Sequence, residues 1–136
     1  MAHQHPQSSS VPPLGELEIA VLEYVWHQPQ VSAKETHAAI GAARGISANT
    51  VQSTLERLFR KQLLRREKQG HAFYYSAQVP RQQLLVGLIN DVLGRFGRDT
   101  PSSLAAFVEA AEQLDENALQ ALEAEIIARR KREGRR

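Results

Sequence analysis

The feature that most constrains the fold of this sequence is a pair of well-capped helical stretches separated by a short turn. The first stretch, VSAKETHAAI, opens with the S-x-x-E pattern of Ser32 and Glu35. In such a capping box, each side chain satisfies a backbone N–H that the helix leaves free. The second stretch begins after Ser47, a favoured N-cap residue, with Ile46 and Val51 at the positions of a hydrophobic staple. Two capped helices joined by a glycine-containing turn predict a helix-turn-helix.

A change of periodicity after these helices predicts a β-hairpin. In LLRREKQGHAFYYSA, the residues Phe73, Tyr74 and Tyr75 strongly favour a strand, and Gly70 supplies a turn. The first strand and the tip of this hairpin are basic. A helix-turn-helix followed by such a hairpin is a winged helix, so the predicted fold class is mainly α with a small β-hairpin.

The remaining elements are predicted to be helices, each with one apolar face. The first covers about residues 14–28, and three more follow the hairpin. Of these three, one ends near Gly97, one has Thr100 as N-cap and Pro101 at N1, and one is capped by Asp115. So few residues would bury their apolar faces better against a second copy than alone, which predicts a helical dimerisation domain. Its expected contact residues are Leu88, Val92, Phe96, Leu104, Phe107, Leu119, Leu122 and Ile126.

The predicted organisation has four parts. Residues 1–13 lack the basic and apolar regions of a secretory signal and are interpreted as a disordered arm. The winged-helix DNA-binding domain covers residues 14–80, and the helical dimerisation domain covers residues 81–128. The tail at 129–136 is basic, which suits a helix C-terminus. It is expected either to add nonspecific attraction to DNA or to be a frayed, solubilising end.

Composition excludes several classes of function. The sequence contains no cysteine, so disulfides, thiolate metal sites and cysteine nucleophiles are absent, which fits a cytoplasmic protein. No apolar run approaches the length of a membrane span, and membrane insertion is not expected. The five histidines include no His-x-x-x-His pair and are better explained as surface residues than as ligands, so no metal or cofactor is predicted. Without a recognisable catalytic set or phosphate-binding loop, the chain is not expected to be an enzyme.

Charge is distributed unevenly, although the net charge is only +2. Between Arg57 and Lys68 there are six basic residues and one acidic residue. Between Arg81 and Ala128 there are three basic residues against eight acidic ones. This segregation predicts a surface that meets a polyanion, beside a region with another role.

The second helix of the predicted helix-turn-helix carries no charge in its first two turns. On a helical wheel, its apolar residues share one sector with Gln62, and amides and hydroxyls occupy much of the remainder. Amides can pair with adenine, and the N-terminal turns of a recognition helix enter the major groove. The alternative is a solvated helix whose polar residues are uncharged by chance. The predicted base-reading residues are Asn49, Thr50, Gln52 and Ser53.

Cations follow in the later turns of this helix and in the hairpin, where phosphate contacts would position the protein without reading the sequence. Ser32 is a further candidate, because a helix N-terminus attracts phosphate, although its capping box can equally be only structural. At the wing tip, Gln69 and His71 are predicted to reach a minor groove or flanking phosphates. The alternative is a surface hairpin whose charges protect its edges. The cationic phosphate-binding candidates are Arg57, Arg60, Lys61, Arg65, Arg66 and Lys68.

The order and spacing of several segments resemble the penicillinase repressor family, BlaI/MecI/CopY, over about residues 14–128. The clearest marks are T-V-x-S-T-L-x-R-L and F-Y-Y-S, flanked by LGELEIAVLEYVW, VSAKETHAAI and SLAAFVEAA. This resemblance implies a homodimeric transcriptional repressor with an N-terminal winged helix and a C-terminal helical dimerisation domain. Its implied partner is double-stranded operator DNA with an inverted repeat, commonly in promoters of antibiotic-resistance genes.

The resemblance also carries expectations about regulation. In the β-lactam branch, a membrane sensor-protease triggers cleavage in the dimerisation region, which releases the DNA. The matching bond here is Ala106–Phe107, where Ala106 departs from the asparagine of the best-known members. Gln52 stands where those members carry arginine, so a different operator is expected. The copper-responsive branch uses a C-terminal cysteine cluster, which this sequence lacks.

Two alternatives to a repressor of this kind stay open at the level of sequence. A small-molecule-responsive winged-helix regulator would need an apolar pocket near its dimer interface, and nothing in the sequence demands one. A protein-interaction module that uses the winged helix as a scaffold predicts an acidic partner and no specific footprint on DNA.

Overall fold

The computed structural model describes residues 13–96 and 99–135, which form six helices and three strands. The chain divides into two compact units, one up to Val92 and the other from Leu93. Most of the predicted arm lies outside the described residues. The elements are α1 (Glu16–Trp26), β1 (Val31–Ser32), α2 (Ala33–Thr36, prolonged by a π-helical turn, His37–Gly41), α3 (Ala48–Arg60), β2 (Leu64–Gln69), β3 (Ala72–Ala77), α4 (Arg81–Arg95), α5 (Thr100–Leu114) and α6 (Ala118–Gly134).

The core of the first unit lies between α1, α3 and the sheet. Apolar residues that recur at helical spacing in α1 and α3 are removed from solvent, which is the main stabilising contribution to such a small unit. Two threonines are also fully buried, and each donates its hydroxyl to a carbonyl four residues back: Thr36 to Ser32 and Thr54 to Thr50, both at 2.8 Å. The buried apolar residues are Val21, Leu22, Val25, Val31, Val51, Leu55, Leu58, Leu63, Leu64, Tyr75 and Leu84.

Local capping defines the helix-turn-helix, as predicted. The Ser32 hydroxyl accepts the N–H of Glu35 at 3.1 Å, and the Glu35 carboxylate accepts the N–H of Ser32 at 2.9 Å. Ser47 caps α3 by accepting the N–H of Thr50 at 3.1 Å. In the turn, Gly45 has φ +69°, a backbone conformation that favours glycine. The capping predictions for both helices are therefore confirmed.

Close contact between α2 and α3 depends on Gly41, the residue that ends the π-helical turn. A Cβ atom at this position would lie 2.7 Å from Cδ2 of His37 and 2.9 Å from Cγ2 of Val51. The His37 ring is itself held by a 2.8 Å hydrogen bond between its Nε2 and the carbonyl oxygen of Ile46. Glycine therefore lets the first helix of the motif sit directly against the second.

The wing is an antiparallel hairpin of β2 and β3, which confirms the predicted hairpin. Gly70, with φ +65°, and His71 form its turn, and Gln69 pairs with Ala72 beside it. The short strand β1 adds a third member in the order β1-β3-β2, with Val31 opposite Tyr75. The structure is thus mainly α with a small sheet, as predicted, although the sequence did not indicate β1.

Several element boundaries differ from the sequence-based expectations. α1 is shorter than the predicted helix over residues 14–28, since it begins at Glu16 and its C-cap is His27. The N-cap of α5 is Asp99, whose carboxylate accepts the N–H of Ser102 at 3.2 Å, so Thr100 lies inside the helix. Asp115 precedes the N-cap of α6, which is Asn117. For α5 and α6, the predicted cap is a good capping residue, but a nearby residue takes that position.

The second unit contains α5 and α6, which leave their apolar side chains accessible. Neither helix has a buried residue. α6 runs to Gly134, so the basic residues up to Arg132 form its last turns. Within the described part of the chain, no helix combines the length and apolar character that a membrane span requires.

Candidate DNA-binding surface

The predicted base-reading residues occupy the exposed N-terminal half of α3. Asn49, Gln52 and Ser53 line a concavity between α3 and the wing, so the structure brings these three side chains together. Thr50 is exposed as well, but its hydroxyl accepts a hydrogen bond from the Ser47 hydroxyl at 3.0 Å and belongs to the helix cap. The other residues that line this concavity are Glu56, Arg57, Phe73 and Tyr75.

Gln52 lies at the border of a second concavity, which α2 and the wing share. This depression also includes Ser32, Lys34 and His37 on the α2 side and His71 on the wing side. An amide at position 52 therefore faces two neighbouring depressions of the same surface. From its position on α3, Gln52 therefore borders both α2 and the wing.

Ser32 is a buried part of the α2 N-terminus. Only 8% of the residue is exposed, and its hydroxyl oxygen is engaged with the N–H of Glu35 in the capping box. The structure therefore gives this side chain a defined capping role, and its phosphate contact stays a prediction.

Four cations of the predicted phosphate-binding set are exposed along α3 and the wing: Arg57, Arg60, Arg65 and Lys68. Arg57 donates to the hydroxyl of Thr54 at 3.2 Å, and Arg65 donates from Nε to the hydroxyl of Ser76 at 3.2 Å. Lys68 is exposed on β2, two residues before the turn. Arg57 lines the concavity of the predicted readers, with its Nε 3.8 Å from Oε2 of Glu18, whereas Arg65 borders a separate depression beside Gln78.

Lys61 is engaged in an internal ion pair instead. Its Nζ donates to Oε2 of Glu18 at 2.7 Å and to the carbonyl oxygen of Pro13 at 2.8 Å. Burial raises the pKa of Glu18, but the N–H of Gly15 and the ammonium of Lys61 outweigh it, so the pKa lies below its ordinary value. The cation of Lys61 is therefore largely neutralised by α1.

The wing tip is exposed on both sides of its turn. The Gln69 amide donates to Oε1 of Gln30 at 3.2 Å, which connects the end of β2 with the loop before β1. His71 is exposed in the turn itself. Both side chains are accessible to a partner, as the predicted wing contact requires.

A cluster around Arg66 links α3 to the wing. The Glu56 carboxylate accepts hydrogen bonds from Arg60, with Nε to Oε2 at 3.0 Å, and from Nη1 of Arg66. These two arginines hold the pKa of Glu56 below its ordinary value, first through the hydrogen bond from Arg60. The sequence predicts Arg66 to be a phosphate-binding cation. It does not indicate the contact with Glu56, because nothing in the sequence shows that α3 and the wing are adjacent at this point.

Residues of the predicted dimer contact fall into two groups. Leu88 packs against the core of the first unit. Leu119, Leu122 and Ile126 line an open groove on α6, to which α5 contributes Val108. The exposed members of the predicted set are Val92, Phe96, Leu104, Phe107, Leu119 and Ile126, of which Phe96 is 81% exposed.

Ala106 and Phe107, the predicted cleavage position, lie within α5. Both residues are exposed, and the bond between them is part of a continuous helix. Elsewhere in residues 13–96 and 99–135, no group of three His, Asp or Glu side chains is arranged to hold a metal ion.

Comparison with known proteins identifies relatives over most of the chain. The family model for the penicillinase repressor matches residues 14–128. The transcriptional regulator BlaI of Mycobacterium tuberculosis (strain CDC 1551 / Oshkosh) is 32% identical over 111 residues, which cover 80% of this chain and 79% of the relative. The penicillinase repressor of Bacillus licheniformis is 23% identical over 94 residues, which cover 69% of this chain and 73% of the relative.

Solved structures similar to this chain include the DNA-binding domain of the repressor BlaI. That structure has a TM-score of 0.49 and 23% sequence identity, and the match covers 54% of this chain and 90% of that chain. A second is the monomeric form of BlaI from Bacillus licheniformis in complex with the blaP half-operator. It has a TM-score of 0.47 and 23% identity, with the same coverage of both chains.

Proposed function

The chain belongs to the penicillinase repressor family of DNA-binding transcriptional regulators, and on that premise we propose that it represses transcription as a homodimer on an inverted-repeat operator. In this proposal, α3 of each protomer enters one major groove, with half-site centres about 34 Å apart. The partner is double-stranded DNA, and the protein acts in the cytoplasm.

The observation that carries the proposal is the composition of the surface between α3 and the wing. Its leading part offers amides and a hydroxyl from Asn49, Gln52 and Ser53, which can discriminate between bases. Arg57 lines the same concavity and Lys68 is exposed on the wing, where these cations would meet phosphates of any sequence. A solvated helix has no need for this separation of uncharged readers from charged surroundings.

The experiment that tests DNA recognition is selection of duplexes from a random pool by the purified protein, followed by footprinting. We expect an inverted repeat to be enriched. If the dimer meets roughly eight phosphates, log K should fall with log salt with a slope of about −7. A flat salt response, or enrichment of no sequence, would contradict the proposal and favour the protein-interaction alternative.

Dimerisation is proposed through the accessible apolar face of the second unit. A single half-site binds weakly, and tethering two recognition helices raises the local concentration of the second to roughly the millimolar range. Ile126→Glu places a charge in the groove that Leu119 and Leu122 also line. We expect this variant to sediment as a monomer and to lose cooperative operator binding.

The matched control is Ala121→Glu, which adds the same charge to an exposed position of α6 that does not line the groove. It should remain a dimer. Equal dissociation of both variants, or of neither, would contradict the proposed contact surface.

Release from the operator is proposed to follow cleavage of Ala106–Phe107 after a membrane sensor-protease detects a β-lactam. Cleavage within α5 would separate the DNA-binding unit from α6 and so remove the tether without changing any base contact. The test is the intact mass of the protein recovered from its host, with and without a β-lactam. A chain that stays full length would refute proteolytic release and leave the DNA-binding proposal standing.

A further inference from the structure

The side chain of Arg66 is held between α3 and the wing. Its guanidinium carbon lies 4.0 Å from the ring centroid of Phe59, on α3, and 4.2 Å from that of Phe73, on β3. Arg66 itself belongs to β2. One planar cation therefore contacts an aromatic ring on the recognition helix and another on the opposite wing strand.

Polar contacts fix the orientation of the same guanidinium. It donates from Nη1 to the Glu56 carboxylate, which also accepts from Arg60, and Tyr75 is its partner in the strand register. Only 22% of the Arg66 side chain is exposed. Desolvation lowers the pKa of Arg66, but the neighbouring Tyr75 and Glu56 outweigh this effect, so the pKa lies above its ordinary value.

Two aromatic rings and the Glu56 carboxylate pack against the guanidinium, and with 22% of the side chain exposed, little of it is left for a phosphate. A two-stranded hairpin is only marginally stable by itself, and its tip can pivot about its base. A fixed arginine at that base would hold the tip in its binding position and so reduce the ordering cost of association.

From these contacts we propose that Arg66 is a positioning residue, which fixes the wing against α3 and acts on DNA through the wing tip without contacting phosphate. The inference rests on the proposed DNA-binding function. Lysine cannot replace arginine here, because its compact ammonium cannot cover two rings and hold a carboxylate at once.

The first test needs no DNA. Amide hydrogen exchange of the free protein should show the wing amides between Lys68 and Ala72 exchanging on the order of tenfold faster in Arg66→Met and in Phe73→Leu. The matched control is Arg65→Met, which removes the same charge from the neighbouring, exposed position of β2. Unchanged exchange in Arg66→Met would overturn the inference whatever the protein binds.

The second test is a mutant cycle on the duplex that the wild-type protein enriches from a random pool. Arg66→Met should weaken binding on the order of tenfold in the wild-type background. It should change binding less than about twofold in a variant whose wing-tip residues Lys68, Gln69 and His71 are all alanine. Arg65→Met is expected to weaken binding equally in both backgrounds.

Each result of this cycle has one meaning. A loss with Arg66→Met that persists without the wing-tip side chains would show a direct phosphate contact and overturn the inference. Phe73→Leu separates the two explanations further, because it removes a ring without changing any charge and should reproduce the pattern of Arg66→Met.

Thermal unfolding identifies a temperature at which every variant is folded, so that lost stability is not read as lost affinity. If the wild-type protein enriches no duplex, the proposed function fails, and the exchange experiment still decides the role of Arg66.

Discussion

The ammonium of Lys61 lies 2.7 Å from Oε2 of Glu18, a contact that joins the C-terminal end of α3 to the first turn of α1. The Glu18 side chain is only 9% exposed, and it also accepts the N–H of Gly15 at 2.9 Å. A partly buried carboxylate with these partners is stabilised in its charged form. The pair therefore fixes the recognition helix on the scaffold that carries it.

Glu18→Gln is expected to lower the free energy of unfolding by about 1–2 kcal/mol at neutral pH. The pKa of Glu18 is lower in the folded state, so its contribution is present above the unfolded-state pKa, about 4.3, and is lost as the pH falls through the folded-state value. Chemical denaturation at several pH values should show the wild type and variant converging in acid. A constant difference down to the lowest pH would contradict this account. Glu16→Gln, at an exposed position of the same turn, is the control.

Gly41→Ala is expected to destabilise the protein by about 1–3 kcal/mol, because the new methyl group would overlap His37 and Val51. Gly94→Ala makes the same chemical change in α4, where nothing lies within 4 Å of the new atom. There, the higher helix propensity of alanine should stabilise by about 0.5–1 kcal/mol. Thermal melts followed by far-ultraviolet circular dichroism should show shifts of opposite sign. A neutral Gly41→Ala would mean that α2 and α3 can separate without cost.

Glu56→Gln is expected to strengthen binding to all duplexes, because it releases Arg60 from the 3.0 Å ion pair and removes a negative charge from the proposed DNA-facing side. The carbonyl oxygen of the new glutamine can still accept the hydrogen bond from Arg66. The slope of log K against log salt should become steeper by about 1. Glu67→Gln is the control, since this exposed carboxylate lies on the wing and makes no ion pair within the described residues. It should change affinity with little change of slope. Equal slopes for both variants would show that Arg60 already reaches phosphate in the wild type.

Asn49→Ala and Gln52→Arg are expected to change which sequences the protein prefers. Loss of a bidentate amide should cost about 1–3 kcal/mol against the preferred base, whereas arginine at position 52 should favour guanine. Selection from a random duplex pool measures both effects. Lys68→Ala is the comparison, because it should weaken all sequences alike. If Asn49→Ala also weakened every sequence equally, the assignment of Asn49 as a reader would be wrong.

Local signals explain the parts of the fold that the sequence predicted. The Ser32 and Glu35 capping box and the Ser47 cap each join residues three apart, and the wing turn at Gly70 depends on one backbone angle. Such features are complete within a few residues of sequence. The winged helix could therefore be recognised before any tertiary contact was known.

The features that were missed depend on residues far apart in the sequence. Lys61 meets Glu18 across 43 residues, so its internal ion pair could not be read from the basic run in which it stands. A helical wheel that is continued past the end of α3 predicts Gln62 on the buried sector. The helix ends at Arg60, and Gln62 is exposed with φ +65°. The strand β1 is only two residues long and is defined by its pairing with β3.

The position of Trp26 gives the protein an internal optical probe. Its indole N–H donates to the carbonyl oxygen of Val79, which precedes α4, at 2.9 Å. Trp26 is the single tryptophan of the chain. The three tyrosines also precede α4, at positions 24, 74 and 75. Tryptophan and tyrosine fluorescence therefore comes from the first unit, and α5 and α6, which contain neither residue, do not contribute to it. Unfolding of the first unit can therefore be followed without a label and separately from α5 and α6.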